Sequence, residues 1–113
     1  MKKFMLLYNG HATPPEQMSP EAVQKSMESF AAWMQQVGDA IVDMGQPMRS
    51  DRAAAVRDDG SAAPPSPLNG YSIIQAADLD AAVKLCEGHP FFGDEQDGKF
   101  TVEVFELLPA PRP

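Results

Sequence analysis

The chain has 113 residues, which fits one domain and leaves little room for a second. A net charge of −7 without any Lys/Arg cluster excludes a nucleic-acid footprint and argues against adhesion to anionic membranes. The single cysteine, Cys86, excludes an internal disulfide and any metal site built on several thiolates.

Met1-Lys2-Lys3 looks like the start of a signal peptide for two lysines only. The apolar run from Phe4 to Tyr8 is shorter than the roughly 7–15 residues of a signal core, and no stretch reaches the ~18 apolar residues of a membrane span. A cytoplasmic protein is the expectation. Lys3 to Asn9 reads as a strand, with Phe4, Leu6 and Tyr8 on one face and Met5 and Leu7 on the other, so both faces need cover. Gly10 to Met18 is a loop. Ser19 and Pro20 then supply an N-cap and a first helical residue. Val23, Met27, Phe30, Met34, Val37, Ile41 and Met44 follow at helical spacing and predict a helix from Pro20 to Met44, ended by Gly45 and Pro47. Such a helix would be ~37 Å long, and Gly38 is where it should bend or break.

Ala53 to Arg57 can form a short strand, Asp58-Asp59-Gly60 a turn, and Ser61 to Pro67 a loop. Gly70 to Ala76 is a strand; Asp78 caps a second helix with Leu79, Ala82, Val83 and Cys86 inward, closed by Gly88 and Pro90. Phe91 to Gly98 is a loop and Lys99 to Leu107 the last strand. Counting the short strand, the order is β-α-β-β-α-β. It predicts a single α+β domain over residues 1–108, with a Pro-rich tail at 109–113. The expected architecture is a ferredoxin-like sandwich, a four-stranded antiparallel sheet with both helices on one face. Two helices cover one face only. The apolar residues on the other predict a homodimer packed sheet against sheet.

Several segments, in order along nearly the whole chain, resemble the YCII-related proteins. They are Lys3-Phe4-Met5-Leu6-Leu7-Tyr8, Trp33-Met34 through Gly38-Asp39 to Gly45-Gln46-Pro47, and Gly70-Tyr71-Ser72-Ile73-Ile74. Gly88-His89-Pro90 and Val102-Glu103-Val104-Phe105-Glu106 complete the set. The resemblance implies a dimeric α/β barrel. One branch of that family carries Asp-Gly-Pro-Phe where this chain has Asp58-Asp59-Gly60-Ser61. A related branch is similar to small lactone-processing or dehalogenating enzymes with a His–Asp pair, but its first-helix histidine has no counterpart between Pro20 and Met44. That pair is not carried over. His89-Pro90 falls where many relatives have Asp-Pro.

The predicted topology brings the loops after the first strand, between the middle strands and after the second helix to one edge. Tyr8, His11, Asn69, His89, Asp94 and Asp97 gather there, including both histidines. His89 follows a helix C-terminus, where the dipole favours its charged form, and is the candidate acid/base. Tyr8, His11 and Asn69 are candidate ligand contacts, and Trp33 can line a pocket between helix and sheet. The spacing of the two histidines makes no metal site, and no phosphate-binding loop or nucleophile elbow occurs, so no cofactor is expected. Two functions fit: a cofactor-free enzyme transferring protons on a small organic acid or lactone, or a small-molecule binding or regulatory module without turnover.

Overall fold

Alternation along the central strand decides where the core lies. In the computed structural model, which describes residues 1–92 and 98–109, strand β1 (Lys2–Asn9) buries Phe4, Leu6 and Tyr8 on one face. Strand β5 (Leu68–Ala76) lies antiparallel beside it and turns Ser72, Ile74 and Ala76 the same way, with Phe4 opposite Ile74 and Leu6 opposite Ser72. On the other side of β1, strand β6 (Thr101–Glu106) sets Val104 opposite Leu6 and Val102 opposite Tyr8. Phe4, Leu6 and Ile74 are fully buried, and each stabilises the fold by about 1.5–3 kcal/mol through area removed from water.

Helix α1 (Pro20–Val37) begins as the sequence predicts, with the Ser19 hydroxyl accepting from the Ala22 amide at 3.1 Å. It ends earlier than predicted. Gly38 takes φ +60, its N–H reaches the Met34 carbonyl, and a 3-10 turn over Gly38–Ala40 leads into strand β2 (Ile41–Asp43). Ile41, expected on the helix, instead pairs with Ile74 of β5 and packs into the core. The second strand of the main sheet is therefore Ile41–Asp43. Ala53 to Arg57 contributes only strand β3 (Ala55–Val56), which pairs with β4 (Ala62–Ala63) in a separate hairpin around Asp58-Asp59-Gly60. Part of the stretch expected as loop is thus a strand.

The main sheet has the order β2-β5-β1-β6 and every pairing is antiparallel. Helix α2 (Leu79–Leu85) is capped by Asp78, whose carboxylate accepts from the Ala81 amide at 2.8 Å. Its inward stripe differs from the prediction. Ala82 is fully buried and Cys86 nearly so, with Ala81 and Leu85 packed beside them, while Leu79 and Val83 are about half exposed. The small Ala82 lets the helix lie close to the sheet, and that contact turns Leu79 and Val83 outward. Trp33 of α1, Ala82 and Cys86 join the inward residues of β1 and β5 in one cluster, so both helices meet the same sheet face. The domain is α+β, with two helices and a four-stranded antiparallel sheet, compatible with a ferredoxin-like arrangement. Among the described residues no helix is long and apolar enough to cross a membrane.

Candidate functional site

A cavity of about 520 Å³ is bounded by α1, the segment after β2, the start of β5 and the turn after α2. Met27, Phe30 and Met34 form its helix wall, and Met44 and Pro47 the wall after β2. Tyr71 and Phe91 close it on the remaining sides, and Tyr8 and His89 bring the polar groups of its inner end. No Asp, Glu, Lys or Arg stands among the described lining residues. Local chain geometry shapes the mouth. Gly45 takes φ +77 directly after β2, and its amide is held by the Asp43 carboxylate at 2.8 Å. Gln46 then accepts from the Tyr71 amide, and Pro47 bridges to Gly70.

The inner end is a chain of hydrogen bonds whose directions are fixed from both ends. The Met44 carbonyl can only accept, so the Ser72 hydroxyl donates to it at 2.8 Å. Ser72 Oγ then has only lone pairs for Tyr8, so the Tyr8 hydroxyl donates to it at 2.6 Å. Tyr8 Oη, its own hydrogen committed, accepts from His89 Nε2 at 3.2 Å. At the far end the Phe91 amide donates to His89 Nδ1 at 3.0 Å, so this nitrogen is the acceptor and Nε2 bears the hydrogen. Both arguments assign the same neutral tautomer.

Burial agrees with that tautomer and corrects an expectation. His89 is 3% exposed, enclosed by the Trp33 ring at 4.3 Å and the Tyr8 ring at 4.8 Å between centroids. Desolvation pushes its pKa down to about 4. The helix dipole favours the protonated ring, as the sequence predicts; burial outweighs it and His89 is neutral. Burial also raises the Tyr8 pKa and pushes the Cys86 thiol up to about 11, so neither group is ionised at neutral pH.

The residues singled out in the sequence separate into three places. Tyr8, Asn69 and His89 line the cavity. Trp33 stands behind His89 rather than on the cavity wall, its indole N–H donating to the Leu85 carbonyl at 2.9 Å, which ties α1 to the end of α2. His11 is exposed in the loop after β1 and is not a lining residue. The Asn69 amide donates to the Gly10 and Pro67 carbonyls at 2.6 and 3.1 Å and so pins the loop after β1 to the start of β5. Asp94 and Asp97 lie outside the described residues, as do residues 110–113 of the tail. Among the described residues no group of three or more His, Cys, Asp or Glu is arranged to hold a metal ion.

No protein-family profile and no curated protein matches this chain. The site therefore rests on its own geometry. Two of its features escape a reading of the sequence. The methionine and phenylalanine stripe of α1 is a core pattern by spacing, yet Met27 is 64% exposed and opens onto the cavity. Ser72 is the second, although its position carries a signal. A hydroxyl on the inward face of an otherwise apolar strand must find partners, and here it joins Tyr8 to the Met44 carbonyl.

Proposed function

We propose that this chain is a small-molecule-binding domain, with the ligand in the cavity between α1 and the β2–β5 end of the sheet and no turnover of its own. The observation that carries the reading is the cavity itself. Its size falls in the ~300–1,000 Å³ range of ligand sites, its walls are apolar, and a few convergent polar groups sit at one end. The enzymatic alternative, acid/base chemistry on a small organic acid or lactone, asks His89 to exchange a proton. Against it stand a neutral ring with both nitrogens hydrogen-bonded and the lack of a described carboxylate on the cavity wall.

Trp33 is the only tryptophan, so its indole N–H gives one NMR resonance close to His89. In a titration with a library of small neutral and ionised fragments, binders are expected to shift the Trp33 indole and the Phe91 amide. Binders that leave both resonances unmoved, or a library without a binder, would overturn the reading. Conversion of a bound fragment, lost in a His89→Asn variant, would favour the enzyme instead.

Relation to the YCII-related proteins, with their dimeric α/β barrel built on ferredoxin-like subunits, belongs to the same proposal and is supported by the segments that resemble that family. A homodimer through the outer sheet face is supported by the side chains found there. Met5, Leu7 and Ile73 are only half-buried, and Phe105 is 50% exposed. Covering apolar area stabilises an interface by about 25 cal/mol per Å². A lysine at the centre of that face leaves the helix side untouched, so Ile73→Lys is expected to give a folded monomer by sedimentation where the parent chain sediments as a dimer. A monomeric parent chain would end the proposal.

A further inference from the structure

The hydrogen-bond directions at the inner end of the cavity limit what can bind there. Every hydrogen in the chain is committed: Ser72 to Met44, Tyr8 to Ser72, His89 Nε2 to Tyr8. His89 Nδ1 is occupied by the Phe91 amide, and both amide hydrogens of Asn69 are directed at backbone carbonyls. What is left at this end is lone-pair density on Tyr8 Oη, since Ser72 is fully buried behind it and does not line the cavity. No described lining residue supplies a formal charge.

We infer that the ligand is an uncharged, largely apolar molecule that presents an N–H or O–H group to Tyr8, and that carboxylates and molecules with acceptors alone are rejected. The inference rests on the reading of the cavity as a ligand site. A carboxylate entering here gives up its hydration, finds no cation among the described lining residues and faces lone pairs. An ester or lactone oxygen meets the same lone pairs and stays unsatisfied. A neutral donor completes the series instead, with its hydrogen on Tyr8 and its carbon skeleton against the methionine and phenylalanine walls. Methionine side chains adapt to irregular apolar shapes, so the walls constrain the skeleton less than the inner end constrains the polar group. Of the substrate classes suggested by the sequence, an organic acid is disfavoured at the inner end by charge and a lactone by its lack of a donor, and the remaining polar lining side chains, Ser26 and Gln46, supply no charge. The neutrality of His89 follows from its burial, so acidification toward the usual imidazole range does not create a cation for an acid to pair with.

Three probes with one ring and one tail isolate the polar group: para-ethylbenzamide, para-ethylbenzoate and methyl para-ethylbenzoate. They are titrated at neutral pH against the full chain, read by the Trp33 indole resonance. All three probes bring a carbonyl or carboxylate oxygen to the inner end and the amide alone brings a hydrogen for Tyr8, so the amide is expected to bind at least about ten-fold more tightly than either of the others. Equal or tighter binding of the carboxylate or the ester overturns the inference and leaves the cavity a ligand site. A resonance moved by none of the three overturns the site and the inference together. Two variants test the direction of the chain. Ser72→Ala frees the Tyr8 hydrogen, so the ester should gain on the amide by about ten-fold. Tyr8→Phe removes the acceptor and leaves the His89 Nε2 hydrogen without its partner, so there too the ester should gain on the amide. An unchanged amide-to-ester ratio in both variants would overturn the assignment of Tyr8 as the recognition group.

Discussion

Acidification from neutral pH to about pH 4 is expected to destabilise the domain by roughly 3 kcal/mol through His89 alone. The ring titrates near its ordinary 6.5 in the unfolded chain and near 4 when folded, so between those values the unfolded state binds the extra proton. Stability from this group is complete above about 6.5, falls with pH through the interval, and is gone below about 4. For a domain stabilised by about 5–15 kcal/mol in total, such a loss is large. Tyr8, which contacts the ring, and Cys86, three residues before it, do not confuse the reading, because their raised pKa values keep both neutral throughout. A backbone hydrogen bond and then Arg49 lower the Glu16 pKa, Arg49 lowers that of Asp51, and Ser61 does the same for Asp59. The stability those acids add starts to fall only near their ordinary values of 4.5 and 3.8, at the acid end of the His89 interval. Urea unfolding across this interval measures the slope. His89→Asn keeps an acceptor for the Phe91 amide, as asparagine does for the backbone two residues on, and removes the titration. It is expected to be less stable at neutral pH and flat between 6.5 and 4. A parent chain equally stable at both ends of the interval, or a variant with the parent's slope, would rule out the buried neutral ring.

The sequence makes Tyr8 and His89 neighbours for a topological reason. Once strand, helix and strand succeed one another in a split β-α-β order, the end of the first strand and the turn after the second helix must share an edge. The same order arises from either choice of second strand, which is why the edge is legible although the strand is not. Ile41 and Met44 continue the three- and four-residue steps of α1, and over three residues a helical and a strand pattern cannot be told apart. Gly38 carries the needed signal. Its φ of +60 allows the chain to leave the helix and turn back along β5, whereas the sequence alone allows a bend or a break there without distinguishing more helix from a strand beyond it. The protonation of His89 is hidden for another reason. A helix terminus is visible in sequence, while enclosure by Trp33, Tyr8 and Phe30 depends on contacts between distant segments. The walls of the cavity are hidden in the same way, since a methionine stripe looks alike whether it packs on a sheet or stops short of it.

Gly45→Ala is expected to be the most damaging single substitution near the site, costing more than about 4 kcal/mol or preventing folding. A Cβ at this position would stand 1.6 Å from the Tyr71 carbonyl oxygen and 2.5 Å from its carbon. These are backbone atoms of a central strand, so no side chain can swing away to make room. The residue also has φ +77, where a side chain is strained whatever the space. Moving Tyr71 breaks the hydrogen bond its amide donates to the Gln46 carbonyl, and shifting residue 45 pulls the Met44 carbonyl from Ser72. The loss of the cavity wall and of the inner hydrogen-bond chain should therefore come together. Gly38→Ala separates conformational strain from collision. Gly38 also has positive φ, yet a Cβ there meets nothing within 4 Å, so its substitution should cost only about 1–2 kcal/mol of backbone strain. Urea midpoints of the two variants give the comparison, with the Trp33 indole resonance reporting whether the packing around His89 survives. Equal losses would mean that the approach of Tyr71 to the turn after β2 is not rigid. The cavity mouth would then be able to open by the width of a methyl group, and shape selection by its walls would weaken accordingly.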